Sequence, residues 1–213
     1  MIRLIVADDH TLVRAGICSL LKSKDDIEVI AETESGHEAV RLCRELKPDA
    51  ILLDLSMGDI DGLEATKQII SANPKIKVLI LTMYENEEYA TRVMDAGASG
   101  FIVKRMSPEE LPDAIRKVVE GEIYITPAIM QKMILRKRKD GEKGLLSLLS
   151  DRELQVFRMI TQGMTHNQIS DKLCLSASTV ATYKWRVMEK LGVQNNAELM
   201  RHAIRIGLID KFD

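Results

Sequence analysis

Ile2-Arg3-Leu4-Ile5-Val6-Ala7 runs straight into Asp8-Asp9, and Ala50-Ile51-Leu52-Leu53 runs straight into Asp54. Two further apolar runs also end on a polar residue. Val78-Leu79-Ile80-Leu81 ends on Thr82, and Gly100-Phe101-Ile102-Val103 ends on Lys104. Short runs that stay apolar, rather than alternating, read as strands of a parallel sheet covered on both faces. With a fifth run at 27–32, the strands are expected at 2–7, 27–32, 50–54, 77–82 and 100–104. Segments of helical periodicity fill the gaps, at about 12–22, 36–46, 62–71, 87–96 and 108–120. Such alternation predicts an α/β fold, an open, doubly wound five-stranded parallel sheet with helices on both faces. Ligands of such sheets bind at the carboxyl ends of the strands. Asp8, Asp9, Asp54, Thr82 and Lys104 are therefore expected to converge in one crevice.

Local signals support these segments. Ser107-Pro108-Glu109-Glu110 reads as a helix start, with serine as cap, proline at the first position and a glutamate completing a capping box. Gly97 after Ala96 suits a helix end that needs positive φ.

The converging groups suit a divalent cation and a phosphoryl group. Mg²⁺ prefers an octahedron of oxygens, commonly one or two carboxylates with water and phosphate, and Asp9 and Asp54 can supply the carboxylates. A carboxylate at a strand end can also attack phosphorus to give an acyl phosphate. Lys104 and Thr82 would then hold the phosphoryl oxygens. Singly, an Asp after a strand is more often a turn residue, and a Lys or Thr there is more often solvated. Five such groups at four strand ends form a joint pattern that those readings do not explain.

The 213-residue chain is longer than one ordinary domain. Its net charge of −2 conceals an asymmetry: the balance is −8 through Tyr124 and +6 beyond it. A cation is the expected partner in front and a polyanion behind, although the run at 136–139 contributes much of the excess and such runs are usually just solvated. Cys18, Cys43 and Cys174 have no paired spacing, which argues against a disulfide framework or zinc site. No apolar stretch reaches the ~20 residues of a membrane span, and no signal segment opens the chain. The expectation is a soluble, cytoplasmic protein without membrane contact.

Domain limits are expected at 1–124 for the sheet domain, 125–146 for a linker and 147–213 for a second domain. Thr126-Pro127 opens a helical segment that runs into the basic cluster, and 140–144 breaks the periodicity as a flexible linker does. In the second domain Ser150-Asp151-Arg152-Glu153 is a capping box, and Gly163 stops the helix that follows. A short helix at about 167–173, a tight turn and a helix at 177–191 then give the helix-turn-helix pattern, with the later helix as reader. One more helix, at about 197–206, completes an all-α four-helix domain. On it Ala197, Leu199, Met200, Ala203 and Ile204 supply core residues and a dimer seam.

Helical spacing divides the reader. Val180, Val187 and Leu191 fall at core intervals. Ser178, Ala181, Thr182 and Trp185 lie opposite, flanked by Lys184, Arg186 and Lys190. Cations for phosphates around small and aromatic residues for base edges make a surface fit for a DNA groove. The plainer reading is a solvated amphipathic helix at a protein interface.

The first half resembles the receiver domain of two-component response regulators along its whole length. The resemblance implies that Asp8 and Asp9 are the acidic pair, Asp54 the phosphorylated aspartate, Thr82 the switch hydroxyl and Lys104 the lysine of the site. It likewise implies that Phe101 is the aromatic switch residue and that the Ser56 main-chain carbonyl is a third Mg²⁺ ligand. Two positions depart from the family. Gly58 and Arg105 stand where proline is common; the first changes loop stiffness, and the second removes a place where a cis peptide is favoured.

From Leu149 to Ile209 the chain resembles the LuxR-type helix-turn-helix of NarL/FixJ response regulators. Leu149-Ser150-Asp151-Arg152-Glu153-Leu154, Asn167-Gln168-Ile169, Leu175-Ser176, Thr179-Val180, Lys190-Leu191-Gly192-Val193 and Gly207-Leu208-Ile209 carry the match. Ala181, Tyr183 and Arg186 stand where that family usually has Lys, His and Asn. The run Thr179-Val180, Thr182-Tyr183-Lys184 and Arg186 looks closer to the global-activator subgroup.

The resemblance implies a transcription regulator switched by phosphorylation of Asp54 from a sensor histidine kinase, with Ser178, Thr179, Ala181, Thr182, Tyr183, Lys184, Trp185, Arg186 and Lys190 as the DNA-binding set. A homodimer would match two-fold half-sites, and no independent turnover enzyme is expected. The alternative is a phosphorylation-switched module whose output is protein contact rather than DNA binding. A phosphohydrolase of the haloacid-dehalogenase type is disfavoured, because Ser56 occupies the place of its second carboxylate.

Overall fold

A computed structural model of the chain describes residues 1–83, 85–138, 148–205 and 208. They fall into two compact units. The first is built from Met1–Met83 and Tyr89–Gln131, and the second takes up the chain from Lys132.

In the first unit the order is β1 (Ile2–Ala7), α1 (Thr11–Lys22), β2 (Ile27–Thr33), α2 (Gly36–Leu46), β3 (Ala50–Asp54), α3 (Gly62–Ala72), β4 (Lys77–Thr82), α4 (Glu87–Asp95), β5 (Gly100–Val103), α5 (Glu110–Val119) and β6 (Tyr124–Ile125). All pairings are parallel, in the spatial order β2-β1-β3-β4-β5-β6. The central strands are apolar throughout because both of their faces are covered: Leu4–Ala7, Ala50–Asp54 and Val78–Thr82 are all buried. Leu4, Val6, Leu52, Leu79, Leu81 and Ile102 pack against Ile17, Cys18 and Leu21 of α1 and Leu111, Ala114, Ile115 and Val118 of α5. The alternate residues, among them Ile5, Ile51, Leu53, Ile80 and Phe101, face the other side of the sheet, where α2 and α3 pack on each other.

The sheet has six strands rather than the expected five. Tyr124 and Ile125 pair with Gly100 and Phe101, secured by Tyr124 N to Ser99 O at 3.2 Å and Thr126 N to Phe101 O at 3.0 Å. Two residues are too few for periodicity to reveal; the free edge of β5 recruits them. The start of α5 also differs from expectation. The helix begins at Glu110, and its N-cap Glu109 makes no side-chain cap bond. The Ser107 hydroxyl bonds instead to the Glu109 carboxylate, two residues on rather than the three a capping box needs, so it is not spent on the helix N-terminus. β5 stops at Val103, leaving Lys104 one residue past the strand.

The linker segment forms α6 (Pro127–Arg138). The side chains at 136–139 and the breaker sequence at 140–144 lie outside the described residues. The second unit contains α7 (Asp151–Thr161), α8 (His166–Leu173), α9 (Ala177–Leu191) and α10 (Asn196–Arg205). Capping accounts for their starts. Ser150 and Glu153 form a reciprocal capping box on α7, as do Thr165 and Gln168 on α8; Ser176 accepts from Thr179 N to cap α9. Cys174, with φ 51°, turns the chain sharply between α8 and α9, and Leu175 N bonds back to Ser170 O at 3.0 Å. Gly192 ends α9 with φ 65°, a conformation that costs glycine no Cβ clash. Val156, Met159, Ile169, Leu173 and Val180 form the core between α7, α8 and α9.

Candidate phosphoacceptor site and nucleic-acid face

The strand order explains how distant residues meet. β3 lies between β1 and β4, and β5 pairs with β4, so the carboxyl ends of four adjacent strands form one rim. Asp8 and Asp54 are buried there, Asp9 is half-buried and Thr82 is fully buried. Lys104 Nζ lies 2.8 Å from Asp8 Oδ2 and 3.2 Å from Asp54 Oδ1. The main chain helps to place it, since Lys104 N donates to Thr82 O at 2.7 Å. Arg105 follows without a cis bond, as no peptide among the described residues is cis.

Burial pushes the Asp54 carboxyl above the ordinary aspartate range; the Lys104 ammonium opposes this, and the Asp8 and Asp9 carboxylates reinforce it. Three carboxylates with a single lysine leave excess negative charge, and buried charges of one sign repel strongly. A cation would relieve that. Ligand atoms of Asp8, Asp9, His10 and Asp54 all lie within 4.8 Å of one another. Asp54 Oδ2 is buried with no hydrogen-bond partner among the described residues. Hard carboxylate oxygens and a buried acceptor of this kind fit Mg²⁺. Ser56, two residues past Asp54, is half-buried.

His10 was not anticipated from sequence. Its main-chain N–H donates to Asp8 Oδ1 at 2.9 Å, and its Nδ1 lies 2.9 Å from Asp9 Oδ1. Its position directly after the acidic pair was the available signal. Phe101 is fully buried and sits opposite Ile80 across the sheet. Its carbonyl and the Val103 N–H are engaged by Thr126, at 3.0 and 3.2 Å respectively. Gly62 begins α3 against the back of the site: a Cβ there would lie 2.7 Å from Asp54 O.

On α9, Ser178, Ala181, Thr182 and Arg186 are exposed, and Trp185 is 60% exposed. Spacings of three, four and seven residues put Ser178, Ala181, Thr182 and Trp185 on one outward face. Thr182 Oγ1 donates to Ser178 O at 3.0 Å, and Thr179 Oγ1 lies 2.7 Å from Ser176 Oγ. Lys184 is half-buried. Two members of the expected set are engaged internally. Tyr183 packs against the core cluster, and Lys190 Nζ lies 2.6 Å from Glu153 Oε2 of α7.

Residues 4–116 match the family model described as the response regulator receiver domain, and residues 147–203 match bacterial regulatory proteins of the luxR family. The chain belongs to the two-component response regulators of the NarL/FixJ family, transcription regulators that join a receiver domain to a luxR-type helix-turn-helix. Along nearly its full length it is similar to the response regulator GacA of Pseudomonas viridiflava, with 42% identity over 99% of both chains. It is 40% identical to the response regulator UvrY of Escherichia coli (strain K12), over 98% of this chain and 96% of that one. Among solved structures, RcsB from Salmonella enterica serovar Typhimurium, bound to promoter rprA in the presence of phosphomimetic BeF3⁻, aligns with TM-score 0.68. The identity there is 28%, over 95% of this chain and 98% of that one.

Proposed function

We propose that this protein is a DNA-binding transcription regulator switched by phosphorylation of Asp54. The observation that carries this reading is the Asp54 carboxylate itself, with one oxygen held by Lys104 and the other buried beside Asp8 and Asp9 without a hydrogen-bond partner among the described residues. An Asp54 oxygen attacks phosphorus of an incoming phosphodonor; the new P–O bond forms as the bond to the leaving group breaks. The phosphodonor is a phosphohistidine of a sensor kinase or a small acyl phosphate. Asp8, Asp9, Asp54 and the Ser56 carbonyl would hold Mg²⁺, which when bound supplies positive charge against the repulsion between carboxylate and phosphoryl dianion. Lys104 neutralises a phosphoryl oxygen after leaving its pairing with Asp54, and the Thr82 hydroxyl donates to another. The chain promotes transfer to its own aspartate and turns over no separate substrate.

Thr82 moving toward the phosphoryl group leaves space that Phe101 follows into, a two-state packing element biased by a local charge event. Receiver (1–124), linker (125–146) and helix-turn-helix (147–213) carry that change to a homodimer binding two-fold half-sites. Ser178, Ala181, Thr182 and Trp185 face the groove, with Thr179, Lys184 and Arg186 toward the phosphates. Tyr183 and Lys190 support the helix from behind. Among the described residues no helix is long and apolar enough to cross a membrane, and a cytoplasmic setting suits both kinase and DNA.

Selection from random duplexes, with and without acetyl phosphate and Mg²⁺, tests the reading. A sequence motif enriched more strongly with the phosphodonor is the expected result. No enrichment under either condition would leave protein contact as the output.

A further inference from the structure

The chain leaves β3 at Asp54 and must return to α3 through residues 55–61, the loop that carries the Ser56 carbonyl. Its two ends are clamped. Leu55 N donates to Leu81 O at 3.3 Å, and Gly62 N donates to Leu55 O at 3.1 Å. Asp61 caps α3 by accepting from Glu64 N at 2.9 Å. Between the clamps stands Gly58, and glycine gives a loop the greatest backbone freedom of any residue. That freedom lies two residues from Ser56.

Asp59 is tied down on the far side. Its Oδ2 accepts from Ser35 Oγ at 2.6 Å and from His37 N at 2.9 Å, and its Oδ1 accepts from Gly36 N at 2.8 Å. His37 Nδ1 lies 2.9 Å from the same Oδ2. These donors are the N-cap and first turn of α2, where unpaired N–H groups and the helix dipole favour an anion. Packing is equally close: a Cβ on Gly36 would lie 2.6 Å from Ile60 Cγ1 and 2.8 Å from Ile60 O. Met57 and Ile60 are buried, while Ser56, Gly58 and Asp59 form the half-buried face of the loop. Burial opposes ionisation of Asp59, yet the hydrogen bonds from Ser35, His37, Gly36 and Ile60 outweigh it and hold the carboxyl well below the ordinary aspartate range.

We propose that Asp59 is a positioning residue for the metal site: by anchoring residues 55–61 to the N-terminus of α2, it holds the Ser56 carbonyl where Mg²⁺ needs it, against the slack of Gly58. This rests on the phosphoacceptor reading of Asp54. Asp59 touches neither metal nor phosphoryl group. Its effect therefore falls on metal affinity, while the transfer step at saturating metal stays nearly unchanged. Partners that orient metal ligands are commonly worth about 10–100-fold in metal affinity.

The test uses the full chain and two readouts: Mg²⁺ binding by calorimetry without phosphodonor, and the Mg²⁺ dependence of phosphorylation by acetyl phosphate, followed by intact mass. Asp59→Ala is expected to weaken Mg²⁺ about tenfold and to keep most of the wild-type rate at saturating Mg²⁺. Asp59→Asn removes the charge but keeps one acceptor oxygen for Ser35 and His37, so it should recover part of the loss. Unchanged Mg²⁺ affinity in Asp59→Ala overturns the proposal. So does Asp59→Asn as weak as Asp59→Ala, because charge alone would then account for the effect. Should Asp59→Ala not fold, Ser35→Ala removes a single bond of the anchor and must weaken Mg²⁺ about two- to tenfold, or the proposal falls. Wild-type protein that accepts no phosphoryl group at any Mg²⁺ concentration would instead overturn the reading of Asp54, and the role of Asp59 with it.

Discussion

Lys190, one residue before the end of α9, places its ammonium 2.6 Å from the Glu153 carboxylate on the first turn of α7. The same Glu153 oxygen accepts from Ser150 N at 2.7 Å as half of the α7 capping box. A single buried carboxylate therefore caps one helix and ties to it the helix proposed to read DNA. Burial works against its charge, but Lys190 and the Ser150 bonds prevail and leave its pKa below the ordinary value.

Replacing Glu153 with Gln should thus destabilise the second unit by about 1.5–3 kcal/mol, the usual size of a charge-assisted hydrogen bond. The pH dependence follows from the depressed pKa. The contribution is fully present above the ordinary glutamate value of 4.5 and is lost as pH falls through the lower folded value. Denaturant melts of wild type and variant should converge on acidification. A constant difference between them down to pH 3 would contradict the assignment. Because the Lys190 charge is already paired, Lys190→Ala should reduce the salt dependence of DNA binding less than Arg186→Ala does.

Asp54→Asn keeps the size of the side chain and removes the nucleophile. Incubation with acetyl phosphate and Mg²⁺ should then yield no phosphoryl adduct by intact mass, against one adduct on wild type. An undiminished adduct would move the acceptor to another residue.

Thr82→Ala removes a fully buried hydroxyl at the end of β4 and leaves Asp54, Asp8 and Lys104 in place. Phosphorylation should persist while its effect on DNA affinity shrinks toward none. Allosteric couplings of this kind are typically about 5–150-fold. DNA titrations with and without BeF3⁻ measure it, and a wild-type gain in the variant would exclude Thr82 from the route.

Trp185 is 60% exposed, and leaving a large apolar side chain in water forgoes roughly 1.5–3 kcal/mol of burial. Trp185→Ala should weaken binding to a selected duplex by about 1–3 kcal/mol and to a scrambled duplex much less. Lys184→Ala should weaken both and lower the salt slope. Equal losses on both duplexes for Trp185→Ala would assign the indole to packing or to a partner subunit instead.

Much of this protein is legible along the chain because the relevant physics is local. The apolar runs ending at Asp9, Asp54 and Thr82 mark strands whose two faces must both be covered. Ser150 with Glu153, and Val180 with Val187 and Leu191, announce a capped helix and its buried face through neighbours a few residues apart. Helices α2 and α9 coincide with the expected segments to the residue. That Asp8, Asp9, Asp54 and Lys104 come together follows from a general rule about parallel sheets.

The remainder depended on groups far apart in sequence. β6 exists because β5 has a free edge, which no property of Tyr124 and Ile125 alone reveals. Ser107 could have capped α5, but the Glu109 carboxylate offered its hydroxyl a nearer partner. Tyr183 and Lys190 lie on a helix whose spacing permits outward display, yet a core cluster and Glu153, 37 residues earlier, draw them in. Asp59 finds its partners only where the N-terminus of α2 comes to rest against it. By itself the sequence determined which segments form strands and helices and which reacting groups stand at their ends, since backbone propensity and hydrophobic period act over a few residues. Only the tertiary structure decided which charges are paired and which are free, because the energy of a charge depends on the neighbours and the burial that packing supplies.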